Sequence, residues 1–199
     1  MLDALLITRM QDEMTQALHE NVNKTGGDSG IAANADALLA LATAQHNANF
    51  DLWHEEDKAR SPEATDADIA EVKHAIDKLN QRRNDLVEKI DLWLLERLEQ
   101  NEKAPLHSET PGLMIDRLSI LALKIYHTEE EEHRETATEA HRRRNADRLA
   151  LLKEQRSDLA ACLDALWGEI LQGTRRFKLY RQMKMYNDPE LNPAVYGRK

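Results

Sequence analysis

The stretch ETPGLMIDRLSILALKIYH, residues 109–127, decides how the chain is read. Projected at about 100° per residue, Leu113, Met114, Ile115, Leu118, Ile120, Leu121, Leu123 and Ile125 surround the axis instead of forming one stripe. A helix apolar on every side belongs at the centre of a bundle, so this spacing predicts a central helix with others packed round it. Thr110 is placed to cap it. Pro111 suits the first helical position, where no backbone N–H is needed. Asp116, Arg117, Ser119 and Lys124 interrupt the apolar surface, and Glu109 enters just ahead of it, near the N-terminal dipole. A charge buried alone costs several kcal/mol. These groups therefore form either a structural ion-pair network or the lining of a polar site.

Punctuation on either side divides the rest. NKTGGDSG (23–30) reads as a loop after a first helix, and ARSPEATDAD (59–68) separates a second from a third, with Thr65 or Asp66 as N-cap. NEKAPLHSETPG (101–112) is the next break. Between Leu113 and Trp167 there is neither Gly nor Pro, yet one helix of that length would run about 80 Å. A turn is expected within HTEEEEHRETATEAHRRR (127–144), where apolar periodicity vanishes, and Gly173 closes the following helix. Nothing alternates like a strand. The prediction is an all-α, single-domain antiparallel bundle of about five main helices over residues 1–199, with residues 174–199 as a strap across it.

Charge is unevenly spread. The 199-residue chain carries a net −9, but residues 174–199 hold +5 and the remainder −14. Three of the four tyrosines, Tyr180, Tyr186 and Tyr196, lie in that basic tail. So acidic a body repels an extended phosphate backbone, which argues against nucleic acid as a partner and leaves room for a small anion held locally. The single cysteine, Cys162, makes no intrachain disulfide and sits in the apolar LAACLDALW, so it reads as a core residue of a cytoplasmic protein. MLDALLITRMQDEM lacks the basic lead and cleavage site of a signal peptide, and no stretch reaches the roughly 18 apolar residues of a membrane span.

Polar groups on apolar faces mark the candidate site. On the second helix, Leu39, Ala42, His46, Asn49, Phe50, Trp53, Asp57 and Arg60 share a sector of about 100°, with His54 on its flank. Buried polar groups need partners, structural or ligand. On the third helix Asp77, Asn80, Asn84, Glu88 and Asp91 make a polar stripe that reads as a solvated side. The spacing of Glu130 and His133 does not make up the full ligand set of a di-iron bundle. Mg²⁺ needs only one or two carboxylates and a substrate phosphate, and is the metal this composition would suit. No nucleophile motif or phosphate-binding glycine loop occurs. The tail YRQMKMYNDPELNP (180–193) is amphipathic and basic before its prolines, and offers cations where the body offers carboxylates.

LWHEEDKAR, IDKLNQRRND, ETPGLMIDRLSILALKIYH and YRQMKMYNDPELNP together resemble an uncharacterised bacterial family known only as a domain of unknown function. The resemblance covers nearly the whole chain and carries over no catalytic residue. Its implied gene neighbourhood, among genes for cell-envelope glycans, tilts the ligand toward sugar phosphates or nucleotide-sugars. The residues themselves lead to an enzyme or binding protein for a small phosphorylated ligand. Arg117, Lys124, Arg181 and Lys184 would hold the anion; Tyr180, Tyr186, Asn187, His46 and Asn49 would line the site. His54, Asp57, Glu109 and Asp116 would do acid–base work or coordinate Mg²⁺. The alternative is a non-enzymatic helical adaptor or homo-oligomerising protein, whose polar core residues fix helix register.

Overall fold

Side-chain caps place the helix ends. The computed structural model describes residues 2–22, 37–182, 190, 191 and 197. Five helices follow in order: α1 (Ala4–Val22), α2 (Ala37–Ala59), α3 (Asp66–Leu95), α4 (Pro111–His133) and α5 (Glu139–Leu171), with no β-strand among the described residues. Thr65 and Asp68 close a reciprocal capping box at the head of α3. Thr110 accepts from the Leu113 N–H ahead of α4, and Thr138 from the His141 N–H ahead of α5. The turn inside the polar run 127–144 therefore falls between His133 and Glu139. Gly173, at φ +70°, takes the left-handed conformation that ends α5. The loop read at residues 23–30 lies outside the described residues.

Helices α2 and α3 pair as one antiparallel hairpin, and α4 and α5 as another. Lys153 reaches Glu129 at 3.2 Å and His141 reaches Glu131 at 2.7 Å, which fixes the second. Helix α4 also runs antiparallel to α3, since its Gly112 meets Asp91 and its later Asp116 meets the earlier Arg83, so α2 and α4 run in the same direction. Helix α1 runs with them: Gln11 donates to the Ile115 carbonyl, and two turns on His19 stacks on Tyr126. Helix α4 packs against all four others. Its Ile115 and Leu118 are fully buried, in one core with Ile90, Leu94, Leu163 and Ile170, and Leu123 is 1% exposed.

Three expectations change here. Helix α4 is not enclosed on every side, because Arg117 and Lys124 are exposed on its outer edge. Cys162 is exposed, since α5 turns that side to solvent. Asp91 is only 2% exposed, because α4 begins directly over that part of the polar stripe. Its carboxylate accepts from the Thr110 hydroxyl and, at 2.7 Å, from the Gly112 N–H. It thus ties the start of α4 to α3.

After Gly173 the chain turns back over α3. The Arg176 N–H donates to the Pro105 carbonyl at 3.1 Å. Gln100 brackets Phe177, which is 1% exposed, by bonding both its N–H and its carbonyl. The Gln182 N–H then reaches Glu88 at 3.0 Å. No described helix is long and apolar enough to cross a membrane.

Candidate functional site

Two polar assemblies occupy the space between α1, α2 and α4, and they meet at Thr15. The first centres on Asp116, 4% exposed. Arg83, from α3, grips both carboxylate oxygens, with Nε at 2.8 Å and Nη2 at 2.5 Å. Gln45 and Asn49, one turn apart on α2, donate to Oδ1 as well. Three of the four bonds converge on Oδ1 and one reaches Oδ2, so every donor that faces this buried carboxylate is spent on it. Asp116 is thereby a tie between α2, α3 and α4.

The bonds continue in a defined sense. Thr15 donates its hydroxyl hydrogen to the Gln11 carbonyl at 2.7 Å, so its oxygen can only accept from His46 Nε2 at 3.0 Å. His46 therefore carries its proton on Nε2, and Nδ1 accepts from the Ser119 hydroxyl at 2.8 Å. Asn49 donates to that hydroxyl at 2.9 Å. His46 is fully buried, and desolvation lowers its pKa to about 4.

A base with a depressed folded pKa contributes stability above its unfolded pKa of 6.5 and loses it as pH falls toward 4. At roughly 1.4 kcal/mol per pH unit the loss is about 3 kcal/mol. Asp91 acts oppositely over an overlapping range, because burial raises its pKa from 3.8 to about 6. Comparing wild type with His46→Gln cancels that contribution. Urea unfolding should show the wild type's advantage shrinking by about 3 kcal/mol between pH 6.5 and 4, and constant above. A pH-independent difference would show that His46 ionises in the folded state.

The second assembly is a group of imidazoles from the three parallel helices. His19, His54 and His127 bring one ring nitrogen each to within 4.8 Å of the others. His19 Nδ1 lies 2.6 Å from the Thr15 carbonyl, and His54 Nδ1 lies 2.9 Å from the Phe50 carbonyl. Carbonyls only accept, so both Nδ1 atoms carry hydrogen. His127 Nδ1 faces the Glu130 carboxylate at 2.9 Å. Nε2 is what remains on each ring, and on His19 and His127 it is shut off from solvent with no partner among the described residues. Tyr126 stacks on His19 at 4.1 Å, and Trp53 on His127 at 5.0 Å. Burial holds His19 below the ordinary imidazole pKa.

The other predicted site residues scatter. Asp57 is exposed beside Arg60 at 3.7 Å, because the last turns of α2 extend past the core. Glu109 pairs with Arg117 at 2.7 Å. The carboxylates read as Mg²⁺ ligands thus each face their own cation. Tyr180 is 47% exposed, and Arg181 is exposed too, on the part of the strap lying along α3. Lys184, Tyr186 and Asn187 lie outside the described residues. Lys124 walls a cavity of about 470 Å³ with Trp53, His127, Asn145 and Arg148. Neither Lys124 nor Arg148 has an ion-pair partner among the described residues, and Arg148 donates only to Asn145 Oδ1 at 3.3 Å. Glu131, also on that wall, is taken by Arg134 at 2.9 Å and His141. Sequence reading missed His19, His127 and Arg148, for no periodicity links residues on separate helices.

Residues 39–179 match a protein family described as a protein of unknown function, DUF4254, and the chain belongs to that family. Neither the curated proteins nor the solved structures give a significant match.

Proposed function

We propose that this DUF4254 chain binds, and acts on, a small phosphorylated ligand in the cavity beside His127. The observation that carries the reading is a pair of unspent cations, Lys124 and Arg148, on one wall of a cavity in a body of net negative charge. In an acidic chain most cations are neutralised by neighbouring carboxylates; these two keep their full attraction for an anion. Arg offers a planar fork that suits phosphate, and Lys adds a mobile point charge. Trp53, itself stacked on His127, supplies an apolar face against which a sugar or base can lie. The ligand class is accordingly a nucleotide, nucleotide-sugar or sugar phosphate.

Thermal-shift and calorimetric titrations with nucleoside diphosphates, sugar phosphates and inorganic pyrophosphate test this on chelator-treated protein. A binding compound should raise the melting temperature, and Lys124→Ala or Arg148→Ala should each weaken it by roughly 10–100-fold, as loss of a charge-assisted hydrogen bond does. Arg181→Ala should change little. If no phosphorylated compound binds, or if both cavity variants bind as wild type does, the reading fails and a helical adaptor takes its place.

A further inference from the structure

We propose that His19, His54 and His127 form a binding site for a divalent transition-metal ion of the zinc class, with one coordination position left for water or an exogenous ligand. The site goes beyond the phosphorylated-ligand reading and does not depend on it.

Four features support the assignment. Each ring has its Nδ1 held by a carbonyl or a carboxylate, the outer hydrogen bond that ordinarily fixes the tautomer of a metal-bound histidine. That leaves three Nε2 lone pairs, one from each of three helices running side by side. The Nε2 atoms of His19 and His127 are shut off from solvent and have no partner among the described residues. A buried imidazole nitrogen without a partner costs free energy, and two in one place are better explained by a ligand than by packing. Phe50, Trp53 and Tyr126 surround the rings and limit their freedom to turn away.

The chemistry narrows the ion. An all-nitrogen donor set suits zinc and its transition-metal neighbours and is wrong for Mg²⁺ or Ca²⁺, which take oxygen ligands. Bonds of about 2.1 Å at tetrahedral angles place the nitrogens about 3.4 Å apart. The ring nitrogens lie within 4.8 Å of one another, so the most separated pair would have to draw in by as much as about 1.4 Å as an ion binds. No fourth His, Cys, Asp or Glu belongs to the group among the described residues. Three protein ligands with an open fourth place is the arrangement of catalytic rather than structural zinc. His127 also walls the cavity that holds Lys124 and Arg148, so the ion would lie next to any ligand bound there.

The test uses the full chain, freed of metal by chelation, in phosphate-free buffer. Zn²⁺ is titrated by calorimetry and Co²⁺ by visible absorption. One ion per chain and the ligand-field bands of a nitrogen-ligated tetrahedral Co²⁺ are expected. His54→Gln should weaken Zn²⁺ by at least the roughly 10–100-fold that loss of even an outer partner costs. Cys162→Ser and His74→Gln, at exposed positions, should bind as wild type does. Absence of stoichiometric binding, unchanged affinity in His54→Gln, or loss in either control would overturn the assignment. Should His54→Gln fail to fold, ¹⁵N spectra of the wild type decide: zinc must shift Nε2 of these three histidines and leave the other five of the chain's eight in place. Because no phosphorylated compound enters this experiment and no metal enters the ligand titration, failure of one leaves the other standing.

Discussion

Asp116→Ala is expected to cost about 3–5 kcal/mol, the range for breaking a buried ion pair from one side. The Asp116 side chain is 5% exposed and that of Arg83 25%, so the stranded guanidinium recovers some hydration and the lower part of the range applies. Desolvation is not the whole cost. Gln45 and Asn49 lose the acceptor they share, and Asn49 is then left with Ser119 alone. Urea unfolding measures the loss, and the double variant with Arg83→Ala shows its origin. If the cost comes from an unpaired charge, removing Arg83 as well should return at least about 1 kcal/mol relative to the sum of the single changes. A loss below about 1 kcal/mol in Asp116→Ala, or strict additivity in the double variant, would mean that the four bonds seen at this carboxylate do not hold the helices together.

The second large effect is expected at Gly112, where it opposes the ordinary trend. Replacing Gly by Ala inside a helix usually adds about 1 kcal/mol of stability. A Cβ at Gly112, however, would stand 2.7 Å from the Val87 carbonyl oxygen and 2.8 Å from Asp91 Oδ1. The first is backbone of α3. The second belongs to a carboxylate pinned by Thr110 and by the Gly112 N–H itself. Neither can withdraw freely, so α3 and α4 must part and the Asp91 tie must stretch. Overpacking of this kind costs roughly 1–3 kcal/mol, and the weakened bond to a buried acceptor adds about as much as a hydrogen bond. Gly112→Ala should therefore destabilise by about 3 kcal/mol. Gly168 in α5 has nothing within 4 Å of the same added atom. There Gly168→Ala should follow propensity and stabilise by roughly 0.5–1 kcal/mol. Thermal or urea unfolding of the two variants side by side gives opposite signs if close approach is the cause. Equal signs would refute it.

Helix count and boundaries are legible in the sequence, because their causes lie within a few residues. Thr110 before Pro111, Thr65 with Asp68, and Gly173 act on the adjacent backbone, and each cap is found where its sequence places it. The burial of α4 is legible from its density of apolar residues, though not which edge it leaves open. Arg117 and Lys124 fall on that edge because the other four helices do not close around it. Asp91 reads as one more polar residue on a solvated stripe, and only the start of α4 lying over it makes it a buried acceptor.

Local chemistry alone determined five helices, their caps and the acidic body with its basic tail, for these depend on neighbours in the chain and on composition. Which polar side chains meet was decided by tertiary structure alone. His19, His54 and His127 lie far apart in sequence and come to one level because reversals at both ends of α3 set α2 and α4 in the same direction, and α1 lies parallel beside them. Arg83 rather than Arg117 faces Asp116 for a similar reason. Adjacent residues on a helix point about 100° apart, so the nearest cation in sequence turns outward and the one on α3 turns in.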